Sequence, residues 1–374
     1  MMDTNGTKKA SFGKRDFLIG ICVGTLLGVV VFFTLNAITN TCNHPGQKLS
    51  DQTRPHSPYL IMRDTIDDGF SRGWMPHFLV SEDNWINVHI HLSGVANEED
   101  LKRALNEYYS KLGAYRLGKV IILTSQDNLF GIFHELSQKD PRFGWMYWPR
   151  IGAPSVSKVR EAVEHGACGI KLHNSPIMSG RVPRDIYMND EWQAIFAYAE
   201  SEGIPLLWHV TQRLSYSQYH VGGLNSYWSD GWKRGVNFNN EDLLQDVLQL
   251  MRSFPKLKVI GAHQLHVGTD RLNELFKAYE NLYIDSSCGM ILRYSDEFIE
   301  EDRLLLRDFV ETWSERITFG TDGNLSPNSN YSNDIELFTR HTRFMLKLGL
   351  SDKALQDVAW RTAQHLLNLK PDER

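Results

Sequence analysis

Two of the chain's histidines, His89 and His91, stand one residue apart in the run Trp85-Ile86-Asn87-Val88-His89-Ile90-His91-Leu92-Ser93. The apolar and β-branched residues of this run read as a short strand. Alternate side chains of a strand share a face, so the two imidazoles project together. A pair of neutral imidazoles so placed can hold a divalent cation, given further ligands from elsewhere. Alone, a His-x-His is more often one ring in the core and one at a turn, so its company decides its meaning.

That company comes from later strand-like runs. His209 ends Pro205-Leu206-Leu207-Trp208-His209, His263 ends Ile260-Gly261-Ala262-His263, and Asp322 ends Phe319-Gly320-Thr321-Asp322. Lys171 sits at comparable depth in Gly169-Ile170-Lys171-Leu172-His173. Other histidines, such as His44, His134, His220 and His341, scatter over expected helices and loops.

The elements that must position these residues follow from periodicity. Strands are expected at 85–93, 119–124, 143–148, 169–173, 205–210, 258–263, 281–286 and 317–322. Helices are expected at 97–112, 127–138, 155–165, 190–202, 240–252, 270–279, 295–314, 333–348 and 352–368. Such alternation means parallel strands with helical crossovers. It predicts an α/β fold of the (β/α)8 TIM-barrel type over 81–374, with the ligand-type residues at the C-terminal mouth. An open doubly wound sheet fits less well, because no Gly-rich phosphate turn follows the first strand.

Composition narrows the partners. The chain is 42% hydrophobic and 23% charged, an ordinary globular balance, and its net charge of −5 leaves no basic footprint for nucleic acid. Cys22, Cys42, Cys168 and Cys288 form no CxxC pair, so neither a thiolate zinc site nor a disulfide framework is indicated. A homo-oligomer is left open.

Ahead of the barrel, residues 1–16 carry Lys8, Lys9, Lys14 and Arg15, and residues 17–38 are uncharged and largely apolar. As a helix, that stretch spans roughly 30 Å of hydrocarbon. With basic residues before it and no clear cleavage site, it reads as a single-pass signal anchor that leaves the catalytic domain outside the cytoplasm, periplasmic or extracellular. Lys14-Arg15-Asp16-Phe17-Leu18 also resembles a twin-arginine export signal, with Lys in place of the first Arg. Residues 39–80 read as a tether and lead-in segment.

The motifs quoted above, with Thr362-Ala363-Gln364-His365-Leu366-Leu367 near the end, resemble the amidohydrolase superfamily over roughly 84–369. The likeness is to its amidohydrolase-related branch of metal-dependent hydrolases and decarboxylases. Asn87 stands where an Asp commonly precedes the His-x-His, and Thr362 where an Asn is usual. The resemblance implies that His89, His91, His209 and Asp322 bind one divalent ion, Zn2+ foremost, with Mn2+ or Fe2+ as alternatives. It implies that His263 orients the attacking water and that Asp322 serves as general base, then acid. Lys171 is expected to contact substrate, and a second metal enters only if it is carbamylated. His173 is expected to face a loop or support the ligands.

The implied activity is hydrolysis of a C–N or C–O acyl bond in a small molecule: an amide, cyclic amide or lactone. Non-oxidative decarboxylation of an aromatic or unsaturated acid is the alternative, and a non-catalytic binding protein on the same fold is a more distant one. The aromatic stretch 211–238 is too long for an ordinary βα connection and reads as a lid. From it Arg213, Tyr216 and Trp228, with Arg150 after the third strand, are the candidate substrate contacts.

Overall fold

Among the described residues nine short strands pair in parallel: β1 Trp85–Leu92, β2 Leu117–Thr124, β3 Phe143–Tyr147, β4 Ile170–His173, β5 Leu206–His209, β6 Val259–Gly261, β7 Leu282–Asp285, β8 Ile317–Thr318 and β9 Gly323–Leu325. Their spatial order is β8-β7-β6-β5-β4-β3-β2-β1-β9. This computed structural model describes residues 84–212, 227–287, 300–327 and 329–369. The expected membrane span at 17–38 and its flanks lie outside them; among the described residues no helix is long and apolar enough to cross a bilayer.

The helices are α1 Glu98–Leu112, α2 Phe130–Lys139, α3 Val156–Glu164, the short α4 Ser175–Met178, α5 Asp190–Glu202, α6 Tyr227–Lys233, α7 Asn240–Ser253, α8 Thr269–Ala278, α9 Glu300–Trp313, α10 Ser332–Lys347, α11 Asp352–Gln356 and α12 Thr362–Leu366. Most fall where expected, but α4 and α6 were not foreseen, and the helix expected at 352–368 is divided by a π-helical turn at Asp357–Arg361. Their starts are chemically marked. Asn97 caps α1 ahead of Glu98, Glu99 and Asp100, whose charges suit the helix N-terminus, and Asn239 with Asp242 forms a capping box on α7.

The ring closes through a broken strand. β8 pairs with β7, β9 pairs with β1, and only Phe319–Asp322 separates β8 from β9. The sequence predicts one strand over 317–322; instead pairing lapses at 319–322. Side chains and neighbouring backbone take up the hydrogen bonds that the ladder gives up there. The Val88 amide donates to Phe319 O (2.9 Å), Gly320 N to Ser286 Oγ (3.2 Å), and Thr321 N to Asn87 Oδ1 (3.2 Å). Buried backbone groups need such partners, and here they come from outside the strand.

A second irregularity aims the first strand. Asn87 to Ile90 on β1 runs opposite Val120 to Ile122 on β2, so β1 carries one extra residue. Bulges of this kind re-aim side chains beside functional sites. Val88 packs with Ile121, Leu123, Met146, Leu207 and Ile260 in the inner cluster, which Ala363 and Leu366 of α12 join, whereas Ile90 belongs to the outer cluster beneath the helices. His89 and His91 flank Ile90 and turn inwards above Val88.

Candidate metal centre

His89 is fully buried and uses both ring nitrogens. Its Nδ1 lies 2.6 Å from Asp285 Oδ2, while Nε2 lies 3.0 Å from Lys171 Nζ and 3.3 Å from Asp322 Oδ1. Burial first, then the Lys171 charge, lowers its pKa to about 3, so the ring is neutral and Nδ1–H donates to Asp285. His91 Nε2 sits 3.1 Å from the same Asp322 oxygen, with its ring against Trp148.

Asp322 owes its position to the strand break. It holds φ 59, the left-handed region that costs a non-glycine residue roughly 1–2 kcal/mol. Asn87 anchors the preceding residue by donating from Nδ2 to Thr321 Oγ1 at 2.8 Å. Gly320 sits where space is tight, since a Cβ there would lie 3.1 Å from His89 Cβ. Burial works against ionisation of Asp322, but His263, His89 and the hydrogen bond from His91 hold its carboxyl well below the usual range.

From β4 comes Lys171, with no exposed surface, its pKa lowered to about 8 by burial against the opposing pull of Asp322 and Asp285. His173 lies between a loop residue and a neighbouring histidine. Its ring stacks on His209 at 4.0 Å and on Trp148 at 5.7 Å, and its Nδ1 accepts from the Ser175 amide at 2.9 Å. His209, ending β5, places Nδ1 3.2 Å from His263 Nε2. Its Nε2 is shut off from solvent and has no hydrogen-bond partner among the described residues. Burial, followed by the Lys171 charge at His173 and by the His173 and His263 rings at His209, drives both pKa values well below the ordinary histidine value.

The predicted strand 258–263 stops early, at Gly261. Beyond it His263, Gln264, Leu265 and His266 all take positive φ, between 52 and 57. Four consecutive non-glycine residues in this region are costly, and their surroundings compensate. The His263 amide donates to Asp285 Oδ1 (2.7 Å), Gln264 Nε2 to Asp285 O (2.6 Å), Thr211 Oγ1 to Leu265 O (2.6 Å), and His266 Nδ1 to Thr211 O (2.9 Å). Gly261 leaves room for the returning chain, because a Cβ there would lie 2.5 Å from Leu265 Cδ2. The turn stacks His263 on His266 and sets its edge against His209.

Two groups among the described residues bring metal-ligand atoms within 4.8 Å of one another: His89, His91 and Asp322, and His89, His263 and Asp285. The first fits a cation better. Both Asp285 oxygens are already engaged: Oδ2 with His89, Oδ1 with the His263 amide and with Ser287 through its amide (3.2 Å) and Oγ (2.8 Å). A carboxylate so occupied orients imidazoles, as the outer partners of metal-bound histidines do. His209 lies outside both groups, its unpartnered Nε2 on the ring that borders His263. Nitrogen and oxygen donors of this kind suit zinc, and also manganese or iron.

Of the candidate substrate contacts, Arg213 and Tyr216 fall outside the described residues. Trp228 lies fully buried in α6, donating to Asn240 Oδ1 at 3.1 Å and packing on Phe238. Arg150 is exposed beyond β3. Asp285, Ser287 and His266 did not stand out in the sequence. Asp285 carried a usable signal, an acid at the C-terminal end of a strand, and Ser287 carried none.

A family model described as amidohydrolase matches residues 90–369. No curated protein matches the chain. Similar solved structures include an uncharacterised TIM-barrel protein from Bordetella bronchiseptica (12% identity, 76% of this chain and 99% of that one, TM-score 0.49). Others are dihydroorotase from Campylobacter jejuni (19% identity, 78% and 85%, TM-score 0.46) and 2,6-dihydroxybenzoate decarboxylase from Rhizobium (14% identity, 77% and 99%, TM-score 0.46).

Proposed function

The chain belongs to the amidohydrolase family, and on that footing we propose that it is a metal-dependent hydrolase of a C–N or C–O acyl bond in a small molecule: an amide, cyclic amide or lactone. One observation above all supports this reading. His209 Nε2 is buried without a partner in a site where His89, His91 and Asp322 already converge. An unpaired buried acceptor is costly, and a cation would satisfy it. We place one divalent ion on His89, His91, His209 and Asp322, with Zn2+ the first choice. Such an ion, when bound, lowers the pKa of water towards about 7 and polarises a carbonyl.

The remaining steps belong to the chain. Asp322, held ionised, accepts the proton of the attacking water and returns it to the leaving group. Lys171, the buried cation beside it, offsets negative charge as the carbonyl oxygen develops it. His263, expected to orient the water, has Nδ1 engaged by Ser287 and Nε2 by His209, so we assign it instead the task of keeping the ligand set in register through His209. Arg150, exposed beyond β3, remains our candidate for a carboxylate on the substrate.

A second reading, non-oxidative decarboxylation of an aromatic or unsaturated acid, draws on a different observation. Trp148, His173 and His209 form one stacked column, at 13° and 28°, an aromatic edge beside the site against which a planar acid could pack. Presenting the zinc-loaded chain with amides, lactones and aromatic acids separates the two: new acid or amine supports hydrolysis, and released CO2 supports the alternative. The assignment of 17–38 as a membrane anchor, with the barrel outside the cytoplasm, is proposed on sequence alone.

A further inference from the structure

Ser287, fully buried just beyond β7, touches three members of the site at once. Its Oγ lies 2.8 Å from Asp285 Oδ1, 3.0 Å from His263 Nδ1 and 3.1 Å from His89 Nδ1. An ionised carboxylate can only accept, so the single hydroxyl proton goes to Asp285. The Ser287 oxygen then offers only lone pairs, and the facing His263 Nδ1 must be the donor. With one proton per ring, His263 Nε2 is left as an acceptor, and His209 Nδ1–H donates to it across 3.2 Å. His209 Nε2 is thereby left as a lone pair, and this is the atom without a partner.

We propose that Ser287 is a positioning residue for the metal centre, its hydroxyl fixing the tautomer of His263 and, through it, of His209 so that Nε2 of His209 is presented to the cation. On the other side of the same serine, Asp285 fixes His89 directly through Nδ1, leaving His89 Nε2 to the site. One buried Asp–Ser pair thus sets two ligating histidines on separate strands. The inference rests on the metal-centre reading above, while its chemistry belongs to the chain alone. Without the hydroxyl, His263 Nδ1 keeps only the Ser287 carbonyl at 3.3 Å, too long to hold the tautomer well.

The test uses the full 374-residue chain, labelled with 15N at histidine and freed of metal. Ring 15N–1H spectra report which nitrogen carries each proton, and titration with Zn2+ alone gives the Kd. Wild type is expected to show Nδ1–H at both His263 and His209. Ser287→Ala is expected to mix the tautomers at both and to raise the Zn2+ Kd by about 10–100-fold, the usual cost of losing an outer partner of a ligand. Ser287→Thr, which keeps the hydroxyl, should restore both readouts. Should Ser287→Ala fail to fold, Ser287→Cys, similar in shape but a weak acceptor, is expected to shift the same signals. Unchanged tautomers and an unchanged Kd in the Ala or Cys variant overturn the proposal. A wild type that binds no Zn2+ overturns the metal reading instead, and the metal-free spectra still decide the role of Ser287.

Discussion

We assign Asp322 two duties, ligand and proton carrier, and a single atom change separates them from its shape. Asp322→Asn keeps the volume but removes the charge and the basic oxygen, so kcat should fall by about 10^2–10^4-fold with the fold intact. Steady-state rates beside a circular dichroism melt check this, and unchanged turnover would refute the proton role. At this scale the sequence was informative where one strand's geometry sufficed. His89 and His91 follow from alternation, and His209 from standing at a strand end, whereas Asp322 was read at the end of a strand that in fact stops at Thr318. Asp285 obeys the same strand-end rule and was readable in principle. Ser287 and the stacking of His173 between Trp148 and His209 depend on contacts between strands, which no local pattern in the sequence encodes.

Elements were readable wherever local chemistry decides them. The helix starts at Asn97 and Asn239 carry their capping residues in plain sight. The break in the eighth strand and the left-handed turn after β6 were not readable. Their backbone bonds are satisfied by Asn87, Ser286, Asp285 and Thr211, residues distant in sequence. The break makes its own prediction. In Gly320→Ala the new methyl would crowd His89, Asp285 Oδ2 (3.3 Å) and Ser287 Cβ (3.3 Å), so Zn2+ affinity should drop about tenfold or more while the melting temperature moves little. A wild-type Kd in that variant would show that the break tolerates a side chain. A milder test lies at the turn into β2. Arg116 is exposed at φ 68, and Arg116→Gly should stabilise the chain by about 0.5–1 kcal/mol, read from the urea midpoint.

For the whole molecule, the buried neutral rings make stability depend on pH. The pKa of His89 falls to about 3, and those of His173 and His209 fall well below the usual value near 6.5. Below about pH 6.5 the unfolded chain therefore binds protons that the folded chain refuses, and stability drops as pH falls from there towards 3. Asp285 and Asp322, held ionised in the fold, add to the loss at still lower pH. A lower urea midpoint at pH 5 than at pH 7, in metal-free protein, is the expected result, and equal midpoints would contradict it. Deleting residues 1–40 should yield a soluble, active domain if the apolar stretch serves only as an anchor; lost activity with insolubility would give it a structural role.

We propose one divalent ion on His89, His91, His209 and Asp322. Its most direct measurement is metal content per chain, by elemental analysis of the Zn2+-incubated and desalted full-length protein, with His209→Ala beside wild type. About one equivalent in wild type and a small fraction of that in the variant is the predicted result. No retained metal in wild type, or equal retention in His209→Ala, would rule out this four-ligand site.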